Sequence, residues 1–405
     1  MKSENPLRVL SYIQQCLSSD KRPLSLLLGA GCPLSIRIGE GGSDPLIPDI
    51  AGITRIVRDE LSAHTECGPI LRVIEEHFKT DGKEYFSVED LLTHIRSLRA
   101  VAGNAEVRGL SGNKLDILDK EICQIIYRVV DKELPDDCTP YHNIAEWVDS
   151  VRRDNPVEVF TTNYDLLMEQ AFEDTKVPYF DGFAGVREPF FDLRAMEEDL
   201  LPPRWARLWK IHGSINWYQV EGKGVFRSIA REKHGPKRVI HPSHLKYQES
   251  RRLPYLAMMD RLRAFLKHPT ATLMTCGYSF RDEHINEIIV QGLEYTQTAV
   301  VFALLHGSIE TYSAAVALAS RNTNLNLLAS DGAVIGGQSV SWLEREAEIE
   351  TKASEDWIAW KAVDSGSEPN KQRAVLMLGD FIVFGKFLQE LSGNHQRFPE
   401  QMNAD

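Results

Sequence analysis

Apolar positions along this chain follow two periods, and the places where one gives way to the other outline the fold. Leu7, Leu10, Ile13 and Leu17 recur at helical spacing and predict a short amphipathic helix. Pro23 then precedes the apolar run 24–28, which stops at Gly29-Ala30-Gly31. A continuous apolar run of strand length belongs to a sheet covered on both faces, so it predicts a buried parallel strand that turns sharply toward a helix. From about 53 to 147 the spacing is mostly helical, as in Val88, Leu91, Leu92 and Ile95 or Ile122, Ile125, Ile126 and Val129. This stretch reads as a helical module inserted after the first strand. Strand-like runs resume at 157–160, 208–211, 271–275, 299–305 and 325–328, with helical stretches among them. The alternation predicts an α/β fold: a doubly wound, mainly parallel Rossmann-like sheet with an inserted helical module.

Two segments depart from that rhythm. The polar, basic stretch 217–250 holds two short strand candidates, 225–229 and 238–241, and reads as a small β-rich excursion. Residues 353–372 are polar with Gly and Pro, and 374–391 reads as an apolar closing helix that docks on the body. The Rossmann-like core is therefore discontinuous, about 20–52 and 150–345. No internal repeat or low-complexity tract interrupts it.

Composition narrows the classes of function. A chain of 405 residues can bury a substantial core, and a net charge of -12 argues against a surface that grips nucleic acid throughout, which leaves a local basic groove or a partner as the route to nucleic acid. The first twenty residues lack a basic segment followed by an apolar one, and no apolar run approaches the roughly 18 residues of a membrane span. A soluble cytoplasmic protein is expected. Cys16, Cys32, Cys67, Cys123, Cys138 and Cys276 are scattered without a C-x-x-C pair, which fits a reducing compartment and argues against a thiolate zinc site.

Three short segments carry the candidate chemistry. Gly29 and Gly31 remove Cβ atoms where a chain must turn tightly and approach a phosphate, although the full G-x-G-x-x-G of a dehydrogenase fingerprint is missing. Asn163 and Asp165, in Thr161-Thr162-Asn163-Tyr164-Asp165, fall at the carboxyl end of a buried strand, where open α/β sheets place their ligands. One of the two suffices to cap the following helical stretch, so a helix cap and a catalytic role both stand for Asp165, and catalysis is favoured for Asn163. His212 also sits at a strand end and is followed by Gly213, which opens space beside the ring. A neutral imidazole there can take a proton from an incoming hydroxyl near pH 7.

In this order the segments resemble the sirtuin motifs G-A-G, T-Q-N-x-D and H-G, with Gly277-Tyr278-Ser279 similar to the later G-x-S nucleotide segment and Pro48-Asp49 similar to the P-D of the cofactor loop. The stretch 277–286, Ser330-Asp331-Gly332, Leu378-Gly379-Asp380-Phe381 and Tyr141-His142-Asn143 resemble the bacterial sirtuin-like branch rather than the eukaryotic deacylases. The resemblance implies one sirtuin-like domain over 1–392 that takes NAD as its substrate. It implies that Gly29, Ala30 and Gly31 hold the pyrophosphate, that Asp49 and Thr162 contact the cofactor, and that Asn163 and Asp165 orient the nicotinamide ribose and its water. His212 would be the general base, Gly277 and Ser279 would contact the adenosine ribose, and Ser330 and Asp331 would lie near the adenine.

The departures from the family pattern bear on function. Pro33 stands where a Ser is expected, Ile50 and Ala51 stand where an Arg is expected, and the connecting loop holds Gly39-Glu40-Gly41-Gly42. The two C-x-x-C pairs of the deacylases' zinc module are missing, so no zinc is expected and water is favoured as the nucleophile over an acyl-lysine. The resemblance thus implies an NAD glycohydrolase of antiphage defence that acts by NAD depletion, forms a homo-oligomer and pairs with a HerA-type ATPase. A protein deacylase and a catalytically silent NAD or ADP-ribose binding subunit are the alternatives. A metal nuclease built on Asp282, Glu283 and His284 is disfavoured, because no spaced ligand signature accompanies them.

Overall fold

The run 24–28 forms a strand with every residue buried, at the middle of a ten-stranded sheet. The computed structural model describes residues 2–103, 105–150, 152–220, 224–228, 253–346, 357–363 and 371–393. In chain order the strands of this sheet are β1 (Lys2–Glu4), β2 (Leu24–Leu28), β3 (Glu158–Thr161), β4 (Tyr179–Phe180), β5 (Ala206–Lys210), β6 (Thr272–Cys276), β7 (Val300–Leu304), β8 (Leu325–Leu328), β9 (Gly332–Ile335) and β10 (Gln338–Trp342). Their spatial order is β1-β10-β9-β8-β7-β6-β2-β3-β5-β4. All neighbours from β8 to β4 run parallel, with Leu26 opposite Val159 on one side and Met274 on the other. The β8–β9–β10 meander is antiparallel, and β1 joins β10 in parallel at the edge.

Thirteen helices accompany the sheet among the described residues: α1 (Pro6–Ser18), α2 (Gly31–Ser35), α3 (Ile50–Ala63), α4 (Cys67–Thr80), α5 (Val88–Ala102), α6 (Gly112–Val130), α7 (Pro140–Ser150), α8 (Leu167–Asp174), α9 (Leu193–Glu198), α10 (Tyr255–Leu266), α11 (Glu283–Tyr295), α12 (Ser313–Ala319) and α13 (Phe381–Leu391). Side chains alternate across a strand, so each central strand feeds two core layers. Leu26, Leu28, Val159, Leu208 and Met274 join one cluster with α1, α3 to α8 and α13. Leu27, Phe160, Trp209, Leu273 and Val301 join another with α9 to α12. Burial on both sides is why these strands read as unbroken apolar runs, and each fully buried Leu contributes about 1.5–3 kcal/mol.

The chain order creates a gap at the centre. After β2 the chain runs through α3 to α7 and continues on one flank as β3, β4 and β5, then returns to β2's other flank as β6. The carboxyl ends of β2 and β6 therefore lead into connections that diverge, which is the switch point where open α/β sheets hold ligands. The opposite, amino end is tied by charge. Glu158 accepts from Trp209 Nε1 at 2.6 Å and from both Arg261 nitrogens at 2.8 and 2.9 Å, while Arg207 and Arg261 share Asp199 at 2.9 and 3.3 Å. Buried carboxylates and guanidiniums are tolerable there because each is paired.

The expected closing helix over 374–391 needs correction. Lys371–Leu376 is a strand, paired antiparallel with Ile358–Ala362 and Glu344–Glu346, and the helix begins only at Phe381. Burial of Ala374 and Leu376 between partly exposed neighbours is a period-two pattern. Gly379 and Asp380 then end the strand and cap α13, with Asp380 Oδ1 accepting from Ile382 N at 2.8 Å. The helix docks on α7, where Phe381 meets Tyr141 edge-on at 5.0 Å. In the excursion, Trp217–Val220 and Gly224–Arg227 pair in a four-stranded sheet with Phe190–Phe191 and Phe183–Ala184. The second strand candidate there, 238–241, lies outside the described residues.

Candidate active site

At the switch point, three glycines let two backbones touch. A Cβ on Gly29 would stand 2.3 Å from Gly277 O, and one on Gly31 would stand 2.7 Å from Gly277 Cα. Gly277 itself has φ +65°, and its Cβ would lie 2.6 Å from Cys32 N. Hydrogen bonds close the seam, from Gly29 N to Cys276 O at 2.9 Å and from Gly31 N to Gly277 O at 3.0 Å. Above it opens a cleft of about 840 Å³, walled by Ala30, Gly31, Thr162, Asn163, Gly277 and Ser279, and by residues of α3, α5 and the loop before α13.

Asn163 and Asp165 enter this cleft from the turn after β3. Asn163 is buried; its Nδ2 donates to Gly29 O at 3.1 Å, and its backbone N–H donates to Thr161 Oγ1 at 3.0 Å. The side chain thus bridges the first and second motifs. Asp165 Oδ1 accepts from Leu167 N at 3.1 Å and so caps the start of α8. Burial pushes its carboxyl up to about 6, against the pull of the Lys210 charge and with a further push from Glu169. Lys210, at the end of β5 and 1% exposed, donates to Glu169 Oε1 at 2.8 Å and to the Asp165 carbonyl. A buried ammonium in this position ties β5 to the turn after β3.

His212 follows β5 by two residues and lines the same cleft. Its Nε2 stands 3.1 Å from Asp282 Oδ2, with 9% and 12% of the two side chains exposed, although the ring N–H does not point along that line. Tyr164 tilts over the imidazole at 6.3 Å, its phenol held well above the usual range by burial. Gly213 beside it has φ +95°, and a Cβ there would meet the Tyr255 ring at 3.0 Å.

Residues 157–325 match the family model of the SIR2-like domain. Asn163, Asp165, His212, Gly277 and Ser279 fall inside that SIR2-like stretch, and Gly29-Ala30-Gly31 falls before it. A solved structure described as "Structural Basis for the Mechanism and Regulation of Sir2 Enzymes" aligns over 73% of this chain and 84% of its own, at 13% identity and a TM-score of 0.33. No curated protein matches.

Most residues singled out in the sequence gather around the cleft, but not all. Ala30, Gly31, Asp49, Thr162, Asn163, Asp165, His212, Gly277 and Ser279 line it, and Gly29 packs behind the lining. Asp49 caps α3, its Oδ1 accepting from Gly52 N at 2.8 Å. Ser330 and Asp331 are outside the lining. Ser330 donates to Gly307 O at 2.8 Å, while Asp331 accepts from Ser308 Oγ at 2.5 Å and Ile309 N at 2.9 Å. They brace the loop that brings His306 and Tyr312 to the cleft. His142 is a capping side chain: Nδ1 accepts from Thr139 N at 3.0 Å and Nε2 faces Asp174 at 3.2 Å.

Sequence reasoning missed Arg37, Glu89, Tyr164, Arg281, Asp282 and Tyr312 as lining residues. Arg281 and Asp282 carried a signal, since they fall between the G-x-S segment and a helix start. Glu89 carried none, because it arrives from the helical module. Among the described residues, no group of three His, Cys, Asp or Glu stands close enough to hold a metal, and no helix is long and apolar enough to cross a membrane.

Proposed function

We propose that this cleft binds NAD and hydrolyses its nicotinamide–ribose bond. The observation that carries the reading is that Asn163 and His212, from the ends of two different strands, open into one cleft at the glycine seam of the switch point. Such a cleft suits an extended dinucleotide, and its two polar side chains stand where the sheet concentrates ligands.

The reaction breaks the bond between the ribose C1′ and the nicotinamide nitrogen, whose electron pair leaves with nicotinamide. Water adds at the oxocarbenium-like carbon and gives up its proton to His212, so the products are nicotinamide, ADP-ribose and a proton. Asn163, fixed by Gly29 O, would position the ribose and the water, and the Asp165 carboxylate would face the developing positive charge. The phosphate end differs from the family pattern. Gly31 N and Cys32 N already donate within the seam, and Pro33 has no N–H. Arg37 and Arg281, both lining the cleft, would supply the counter-charge to the pyrophosphate.

Resemblance to the bacterial sirtuin-like branch supports a role in antiphage defence by NAD depletion, with a homo-oligomer and a HerA-type ATPase as partners. A catalytically silent NAD or ADP-ribose subunit is the second reading, favoured by the seam amides being occupied. The test is nicotinamide and ADP-ribose release from NAD by the purified chain, alone and with the ATPase, beside Asn163→Ala and His212→Ala. Release abolished by both substitutions supports hydrolysis at this site. No release in either state, with NAD still bound, overturns it.

A further inference from the structure

We propose that Asp282 is a positioning residue that orients the His212 imidazole, fixing the tautomer protonated on Nε2 and leaving Nδ1 as the proton acceptor. This rests on the hydrolase reading of the cleft. The motif resemblance assigns Asp282 nothing, and at sequence level its charge reads as a solvated loop or a helix cap.

The cap is real but does not use the whole carboxylate. Asp282 Oδ1 accepts from His284 N at 3.1 Å and Ile285 N at 3.3 Å, at the start of α11. Two backbone donors at a helix start fix the rotation of the carboxylate. The other oxygen, Oδ2, is directed to His212 Nε2 at 3.1 Å, with both side chains nearly buried. His212 is constrained from its own side, because the left-handed Gly213 turn is packed against Tyr255.

Within the described residues His212 Nε2 makes no hydrogen bond to another group, so Asp282 Oδ2 has no rival for it, and catalytic hydrogen bonds that are poorly aligned in an empty site tighten when substrate fills it. A carboxylate facing one ring nitrogen decides which nitrogen carries the proton. Tyr164 and Tyr255 pack near His212, and Asp165, Glu89, Glu283 and His284 line the same cleft. Among the described residues, Asp282 is the one acidic group recorded within ion-pair distance of the ring.

Asp282→Asn keeps the cap acceptor and removes the charge. Two readouts separate this inference from the hydrolase reading. Nitrogen-15 NMR of the imidazole in the intact chain is expected to show the Nε2–H tautomer, and Asp282→Asn to mix the tautomers. In the NAD assay, kcat is expected to fall about 10- to 100-fold, the range for groups that orient a reacting side chain, with KM unchanged. If the wild type releases no nicotinamide, the hydrolase reading fails while the NMR arm still decides the dyad. A tautomer ratio unchanged in Asp282→Asn leaves Asp282 a cap and overturns the inference. Should Asp282→Asn fold poorly, Asp282→Ser retains a capping oxygen and takes its place in both readouts.

Discussion

Replacing Asp165 by Asn should stabilise the protein at neutral pH and leave it nearly unchanged in acid. The wild-type carboxyl is buried and raised from 3.8 to about 6, so the folded state holds a proton that the unfolded chain has already lost between those values. Stability therefore falls as pH rises through that window and levels off above it. Integrating the shift gives a penalty of about 1 kcal/mol at pH 4.5 and about 3 kcal/mol at pH 7.5. Asn carries no charge to bury and keeps an oxygen for Leu167 N, so the cap survives. Urea midpoints of wild type and Asp165→Asn, measured at both pH values, should diverge by about 2 kcal/mol more at pH 7.5, with the variant the more stable. On the proposed function, NAD hydrolysis by the same variant should drop, because the charge that destabilises the fold would be the one facing the ribose. A pH-independent difference, or a wild type that is the more stable at pH 7.5, would refute the reasoning, because burial would then not control this carboxyl.

Two other substitutions probe the seam and the caps. Gly277→Ala places a Cβ 2.6 Å from Cys32 N at φ +65°, so calorimetry should record a lost melting transition of about 1–3 kcal/mol together with weakened NAD binding, and unchanged values for both would contradict the seam. For Asp49, Ala should cost about 1 kcal/mol through the lost bond to Gly52 N, whereas Ser should restore stability; NAD affinity that follows the cap rather than the charge would make Asp49 a scaffold residue.

How much was legible in the sequence depended on whether a residue's neighbours lie along the chain or across it. The runs of β2, β6, β7 and β8 announced themselves because both faces are covered and every residue but Asn326 is apolar or small. Strands at the margins, such as Lys2–Glu4 and Tyr179–Phe180, are too short to show a period. The strand 371–376 was hidden because its apolar residues run on toward a true helix, and only Gly379-Asp380 marks the break. At the site, the strand-end position of Asn163 and His212 could be read locally. What Asn163 touches could not, since Gly29 O comes from another strand. Ser330 and Asp331 carried a motif without lining the cleft, because a short polar turn can brace a loop as readily as touch a ligand.

The caps explain why such ambiguity concentrates here. Helices α3, α5, α11 and α13 start close to the cleft, capped by Asp49, Ser87, Asp282 and Asp380, and Asp165 Oδ1 accepts from Leu167 N at the start of α8. A sequence rule that sees Asp or Ser before a helix is correct at these positions and still says nothing about whether the side chain also lines the cleft, as Asp49, Ser87, Asp165 and Asp282 do. Tyr164 feels the negative charges of Glu89 and Asp282, whereas Tyr312 feels the positive charge of Arg281 and bonds the His306 carbonyl. Acidic groups thus act on Tyr164 and a basic one on Tyr312, and Asp282 both starts a helix and supplies part of the first field.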